Sequence, residues 1–109
     1  MKETILNIYL VINSGIVKEF RAVAYDEEGS DDEKITFLKS RAKQDFQNSI
    51  HFDAPMDKKG NYMSYNKFYK LEKRGLQFQL FEEIFEAFKV PDKPLVCVTP
   101  VVDGEIYSQ

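Results

Sequence analysis

Thr4-Ile5-Leu6-Asn7-Ile8-Tyr9-Leu10-Val11-Ile12 is the stretch whose reading decides the fold. It is rich in β-branched and aromatic residues and shows little polar alternation, as expected of a strand central in a sheet or covered on both faces. Asn13-Ser14-Gly15 follows with residues that tolerate positive φ, which predicts a hairpin turn. The returning strand, Ile16 to Tyr25, puts Phe20, Ala22 and Ala24 on one face and Glu19 and Arg21 on the other, so it reads as half exposed.

Outward from this hairpin, the chain enters an acidic loop and then a helix predicted over about Asp31 to Ser49. Ser30 stands three residues before Glu33, the spacing of a capping box, and Asp31, Asp32 and Glu33 complement the positive end of the helix dipole. Ile35, Leu38, Ala42 and Phe46 form a narrow apolar stripe, with Lys34, Lys39, Arg41 and Lys43 lying mostly off it. Ile50 to Asn61 contains Asp53-Ala54-Pro55 and Lys59-Gly60-Asn61 and reads as a loop. Tyr62 to Arg74 fits a helix capped by Ser64 and ended by Gly75, although Met63, Tyr65, Tyr69 and Leu71 also alternate as in a strand; the helix is preferred.

Leu76 to Lys89 carries Phe78, Phe81, Phe85 and Phe88 at helical spacing, widened by Leu80 and Ile84, and Pro91 is its expected stop. Leu95 to Val102 reads as a strand interrupted by Pro100. Asp103-Gly104 signals a second hairpin, and Glu105 to Tyr107 is its short edge strand. The expectation is an α+β fold in the order β-β-α-(α)-α-β-β. It has an antiparallel sheet of about four strands, with two or three helices packed on one face.

The 109 residues fit a single domain spanning 1–109, with 43% hydrophobic and 30% charged side chains and enough aromatic residues for a core. One cysteine, Cys97, cannot form an internal disulfide, and Met1 runs directly through Lys2-Glu3-Thr4 into a strand, so the sequence reads as cytoplasmic. No apolar run approaches the roughly 20 residues that span a bilayer, and membrane insertion is not expected.

Catalytic and metal chemistry finds little footing. His51 is the single histidine, and Ser49 and Asp53 beside it come from one loop rather than from converging elements. Cys97 between Val96 and Val98 reads as an inert, buried thiol. One Cys and one His fall short of a zinc set. The acidic loop lacks EF-hand spacing, since Gly29 is fourth and Phe37 twelfth. The five glycines are scattered and make no phosphate cradle. The expectation is a non-enzymatic domain without metal or cofactor.

Charge is what remains. Residues 1–57 hold seven basic and eleven acidic side chains, net -4, and residues 58–109 hold eight and seven, net +1. Asp26, Glu27, Glu28, Asp31, Asp32 and Glu33 lie within eight residues. Their plain reading is a solvated loop and helix start; their functional reading is a docking surface for a basic, nucleic-acid-binding partner. Inhibitors and immunity-type proteins work in this way, by occlusion. The competing segment is basic and aromatic: Tyr62, Tyr65, Lys67, Tyr69, Lys70, Lys73 and Arg74, the ingredients of single-strand nucleic-acid binding. Its plain reading is an amphipathic element with rings turned inward. A third reading is a subunit of a homo-oligomer, with Glu105 to Gln109 offering a sheet edge.

Overall fold

The computed structural model describes residues 2–72, 76–90 and 94–107, with side chains for all of these except 72 and 76–80. Strand β1 (Glu3–Asn13) turns back into β2 (Ile16–Glu27). Helices α1 (Asp31–Ser40) and α2 (Ala42–Asn48) follow, then β3 (Ile50–Asp53), α3 (Tyr65–Glu72), α4 (Leu76–Ala87), β4 (Leu95–Val102) and β5 (Glu105–Ile106). The fold is α+β, built on one sheet in the order β3-β2-β1-β4-β5.

The sheet differs from the sequence expectation in three respects. Among the described residues it has five strands, it is mixed because β1 and β4 run parallel, and four helices cover both faces instead of one. The physical reason lies in β1. Leu6, Ile8, Leu10 and Ile12 point to one side and pack with Phe20, Ala22, Phe52, Phe68 and Ile84; Tyr9 and Val11 point to the other and pack with Ala42 and Val101. A strand apolar on both faces must be roofed on both. The roof is α1 and α2 on one side and α3 and α4 on the other.

Both predicted hairpin turns form. Ser14 and Gly15 have φ of 51° and 73°, and Asp103 and Gly104 have 48° and 85°. Two successive positive values mark the primed turn whose twist matches that of the strands. The parallel pairing brings the two turns side by side, where the Ser14 N–H donates to Asp103 Oδ1 at 2.8 Å. Pro100 does not interrupt β4. Its side of the backbone faces β5, so the bonds to β1 never needed an N–H at that position.

Other boundaries shift. The capping box forms, with the Glu33 N–H donating to Ser30 Oγ and the Ser30 N–H to Glu33 Oε1, both at 3.2 Å. The single predicted helix over 31–49 breaks at Arg41, where no Gly or Pro warns of it. Lys34, expected off the apolar stripe, is only 3% exposed. The stretch expected as a loop begins with β3. Only Phe52 of its four residues is buried, too short a signal for periodicity to show. The preferred helix at Tyr62 to Arg74 is present as α3, with Ser64 Oγ accepting the Lys67 N–H. Its expected end at Gly75 and the stop at Pro91 lie outside the described residues, as do the side chains of Phe78 and Leu80. Helix α4 closes with the Val90 N–H on the Phe85 carbonyl and the Lys89 N–H on the Glu86 carbonyl. That Schellman pattern puts Lys89 at φ 54°, in the left-handed region.

Two stability measurements test this packing. Ile8 is fully buried against the α3 and α4 side, and Ile8→Ala should cost about 2–5 kcal/mol in urea unfolding. Lys89→Gly should raise stability by roughly 0.5–1 kcal/mol by relieving the left-handed strain, and a loss instead would mean that the lysine contacts outweigh that strain.

Candidate functional site

The acidic residues gather at the open end of the β1–β2 hairpin. Strand register sets Glu3 opposite Glu27 and Thr4 opposite Asp26. Thr4 Oγ1 donates to Asp26 Oδ1 at 2.9 Å. The chain then passes Glu28 and Gly29 into the first turn of α1, which carries Asp31, Asp32 and Glu33. All six residues singled out in the sequence therefore share one end of the molecule.

Their tasks are unequal. Glu33 completes the helix cap and Asp26 holds the strand pair, whereas Asp31 and Asp32 stand exposed on the helix start. Glu3 joins the group, which sequence spacing did not reveal because the strand register brings it there. The buried Lys34 extends its ammonium to Glu3 Oε2 at 2.9 Å. Like charges directly opposite on neighbouring strands destabilise a sheet, and Lys34 offsets part of that cost for Glu3 and Glu27.

The basic aromatic segment lies at the opposite end. The Tyr65 N–H donates to the Gly15 carbonyl at 2.8 Å and the Val17 N–H to the Met63 carbonyl at 2.9 Å, which anchors the start of α3 beside the first hairpin turn. The two charged regions are thus separated by the length of β1, roughly 33 Å at strand rise.

Helix geometry decides which rings of this segment are buried. Phe68 turns inward onto Phe20, with ring centroids 5.6 Å apart. Tyr65 and Tyr69, one turn apart, remain 38% and 45% exposed with centroids separated by 6.1 Å. Tyr62 precedes the helix, bridges to Met56 across a tight loop and carries Lys18 Nζ 5.7 Å from its ring centre. In that loop Asp57 accepts the N–H groups of Lys59 and Asn61, each at 2.9 Å. Those donors, foremost Asn61, hold its carboxyl below the usual range, with Lys67 assisting. Lys67 and Lys70 are exposed on α3. Lys73 and Arg74 lie outside the described residues.

The remaining titratable residues assemble no hydrolytic centre among the described residues. Ser49 Oγ accepts from Arg21 Nε at 2.7 Å and donates to the Phe46 carbonyl at 2.6 Å, so it is engaged away from His51. His51 sits exposed on β3 between Asp53 Oδ1 at 3.1 Å and Glu19 Oε1 at 3.4 Å. Among the described residues no group of three or more His, Cys, Asp or Glu is placed to hold a metal ion. Among those residues, too, no helix is long and apolar enough to cross a membrane. Cys97 departs from expectation: it is partly exposed on β4, with Sγ 4.0 Å from Thr99 Oγ1.

A buried polar cluster went unread in the sequence. Asp45 is 4% exposed, accepts the Tyr25 hydroxyl at 2.7 Å and lies 3.7 Å from Arg41 Nε. The Arg41 guanidinium also stacks over the rings of Tyr25 and Phe37, each 5.4 Å away. Burial, and then the charge of Asp45, push the Tyr9 hydroxyl far above its usual range; burial and the bond to Asp45 raise Tyr25. The cluster ties α2 to β2, and only the tertiary fold brings its members together.

Neither a family model, nor a curated protein, nor a solved structure matches this chain. Its function is therefore argued from these surfaces alone.

His51 supplies a check on the geometry. Asp53 first, then Glu19, favour its charged form and raise its pKa above the ordinary value. A raised folded pKa gives stability that is fully present below the unfolded value and is lost as pH rises through the folded one. The difference in urea midpoint between the natural chain and His51→Gln should be larger at about pH 5.5 than at about pH 8. A difference independent of pH would mean that the two carboxylates do not hold the ring in solution.

Proposed function

We propose that this chain is a non-enzymatic protein-binding domain that occludes a basic, nucleic-acid-binding surface of its partner, in the manner of an inhibitor or immunity-type protein. The observation that supports this reading is the like-charge register at the hairpin end, Glu3 against Glu27, continued by Asp31 and Asp32 on the helix start. Residues chosen for stability alone would alternate sign at such a site. The negative field of this end, reduced at Glu3 by Lys34, accelerates encounter with a positive surface and selects against acidic ones.

The acids that hold structure must be spared in a test. The triple substitution Glu27→Gln, Asp31→Asn and Asp32→Asn leaves the Asp26 bond and the Glu33 cap in place. A basic protein captured from lysate by the natural chain should associate with this variant about tenfold more slowly at low salt, with the melting temperature little changed. An equal association rate would remove the acidic end as the docking surface.

A second reading is favoured by one specific observation, the side-by-side exposure of Tyr65 and Tyr69 on a helix that also presents Lys67 and Lys70. Exposed rings flanked by cations suit the stacked bases and phosphates of a single strand. Titration with a labelled single-stranded oligonucleotide should then give an affinity that falls steeply with salt, weakened by roughly 1–3 kcal/mol for each tyrosine replaced by alanine. Absence of binding at low salt would eliminate this reading.

A further inference from the structure

The loop between Met56 and Tyr62 sets a second cationic element beside α3. It is closed by the Met56–Tyr62 bridge, by the Asp57 N–H on the Asn61 carbonyl at 2.8 Å and by the Gly60 N–H on the Asp57 carbonyl at 3.0 Å. The Asp57 side chain is turned onto the backbone of its own loop, and Lys58 and Lys59 stand exposed at the tip. Asn61 first, then Lys59 and Lys67, hold the Asp57 carboxyl below its usual range, so Lys67 of α3 lies beside this loop. From Ala54 to Leu71 the chain carries four lysines and a single acid, Asp57. Among the described residues no ion pair engages Lys58, Lys59, Lys67 or Lys70, whereas Arg21, Lys34 and Arg41 each meet a carboxylate.

Helix geometry orders these groups across α3. At about 100° per residue, Tyr69 stands about 40° round the helix from Tyr65, Lys70 about 140° and Lys67 about 200°. Leu71 and Phe68, at about 240° and 300°, face the core. Tyr65 and Tyr69 therefore occupy one flank of the helix, Lys70 lies on the outward crest, and Lys67 occupies the flank next to the loop. The exposed face passes from rings to cations across the helix axis.

We infer that a single-stranded nucleic acid crosses α3 from Tyr65 and Tyr69, over Lys70, to Lys67 and the Lys58-Lys59 tip, with bases stacked on the rings and phosphates on the four lysines. The inference rests on the single-strand reading of α3. It adds a second wall to that site and a direction, across the helix instead of along it. Partly exposed tyrosine rings offer a π-face to any base, and lysines that meet no carboxylate of their own chain can neutralise phosphates. An acidic protein segment would satisfy the lysines and leave both rings without a stacking partner. The acidic end takes no part, since it lies at the far end of the β1–β2 hairpin.

Fluorescence anisotropy of the full chain with labelled oligothymidylate and oligouridylate, each about twelve nucleotides long, tests it. The double substitution Lys58→Gln and Lys59→Gln should bind about tenfold more weakly at low salt. It should also make the slope of log affinity against log salt shallower by about 1.4, the share of two phosphates on a single strand. Both side chains are exposed and the loop is held by its backbone and Asp57, so the melting temperature should not move. Lys39→Gln with Lys43→Gln removes the same charge from exposed positions of α1 and α2 and should leave the slope unchanged; an equal change there would overturn the inference, because net charge and not the path would set the slope. Binding of either oligonucleotide with the expected pattern supports it, and the tighter of the two names DNA or RNA as the source. An identical slope for the natural chain and the loop variant would overturn the crossing path and leave the α3 reading standing, whereas no binding at low salt would remove both. Displacement by polyglutamate as readily as by unlabelled oligonucleotide would also overturn it, since the face would then read charge alone.

Discussion

Burial of β1 on both faces is the constraint on which the rest of the structure depends. Eight consecutive residues from Ile5 to Ile12 are buried, and one of them, Asn7, is polar. Its amide must find partners inside the protein, because a buried unsatisfied group costs about 1–3 kcal/mol. Thr99 Oγ1 donates to Asn7 Oδ1 at 2.7 Å, Asn7 Nδ2 donates to the Tyr9 hydroxyl at 3.3 Å, and that hydroxyl donates to the Ala42 carbonyl at 3.2 Å. One chain of hydrogen bonds thus sets β4 against β1 and α2 against the sheet. A slip of β4 by one residue would turn Thr99 to the other face and take from Asn7 Oδ1 the hydroxyl that donates to it.

Local signals were legible in the sequence wherever one residue type does one backbone task. Ser14-Gly15 and Asp103-Gly104 announced their turns through positive φ, Ser30 and Glu33 announced the cap, and Phe81, Ile84, Phe85 and Phe88 announced the face of α4 that packs on the core. What stayed hidden is non-local. The parallel pairing of β1 with β4, the helices on both faces, the burial of Lys34 and the partial exposure of Cys97 depend on which element lies beside which. The two-sided apolar run of β1 did carry the clue to two layers of helices, yet the simplest assembly of the elements placed them on one face. Strand β3 was illegible for a different reason, since a four-residue edge strand with one buried side chain has no period to detect.

The candidate surfaces divide in the same way. The six acids were readable as a group because they are contiguous, while Glu3 enters only through strand register. The tyrosines of α3 were readable as an excess of rings over what one buried face needs. Phe68 and Leu71 face the core, and Tyr65 and Tyr69 stay partly exposed. The fold thus sets the acidic group and the exposed tyrosines and lysines of α3 at opposite ends of the β1–β2 hairpin.

The parallel β1–β4 ladder also bears on how the chain acquires its shape. Ile5 pairs with Leu95 and Ile12 with Val102, partners about ninety residues apart. Closing so long a loop carries its entropic cost before any contact repays it, and folding rates fall as contacts become less local. The β1–β2 hairpin can form early, with the helices near it, but β1 keeps one side open until Leu95–Val102 has emerged. Of the pairings in the sheet, the docking of β4 beside β1 therefore closes the longest loop and carries the largest closure cost.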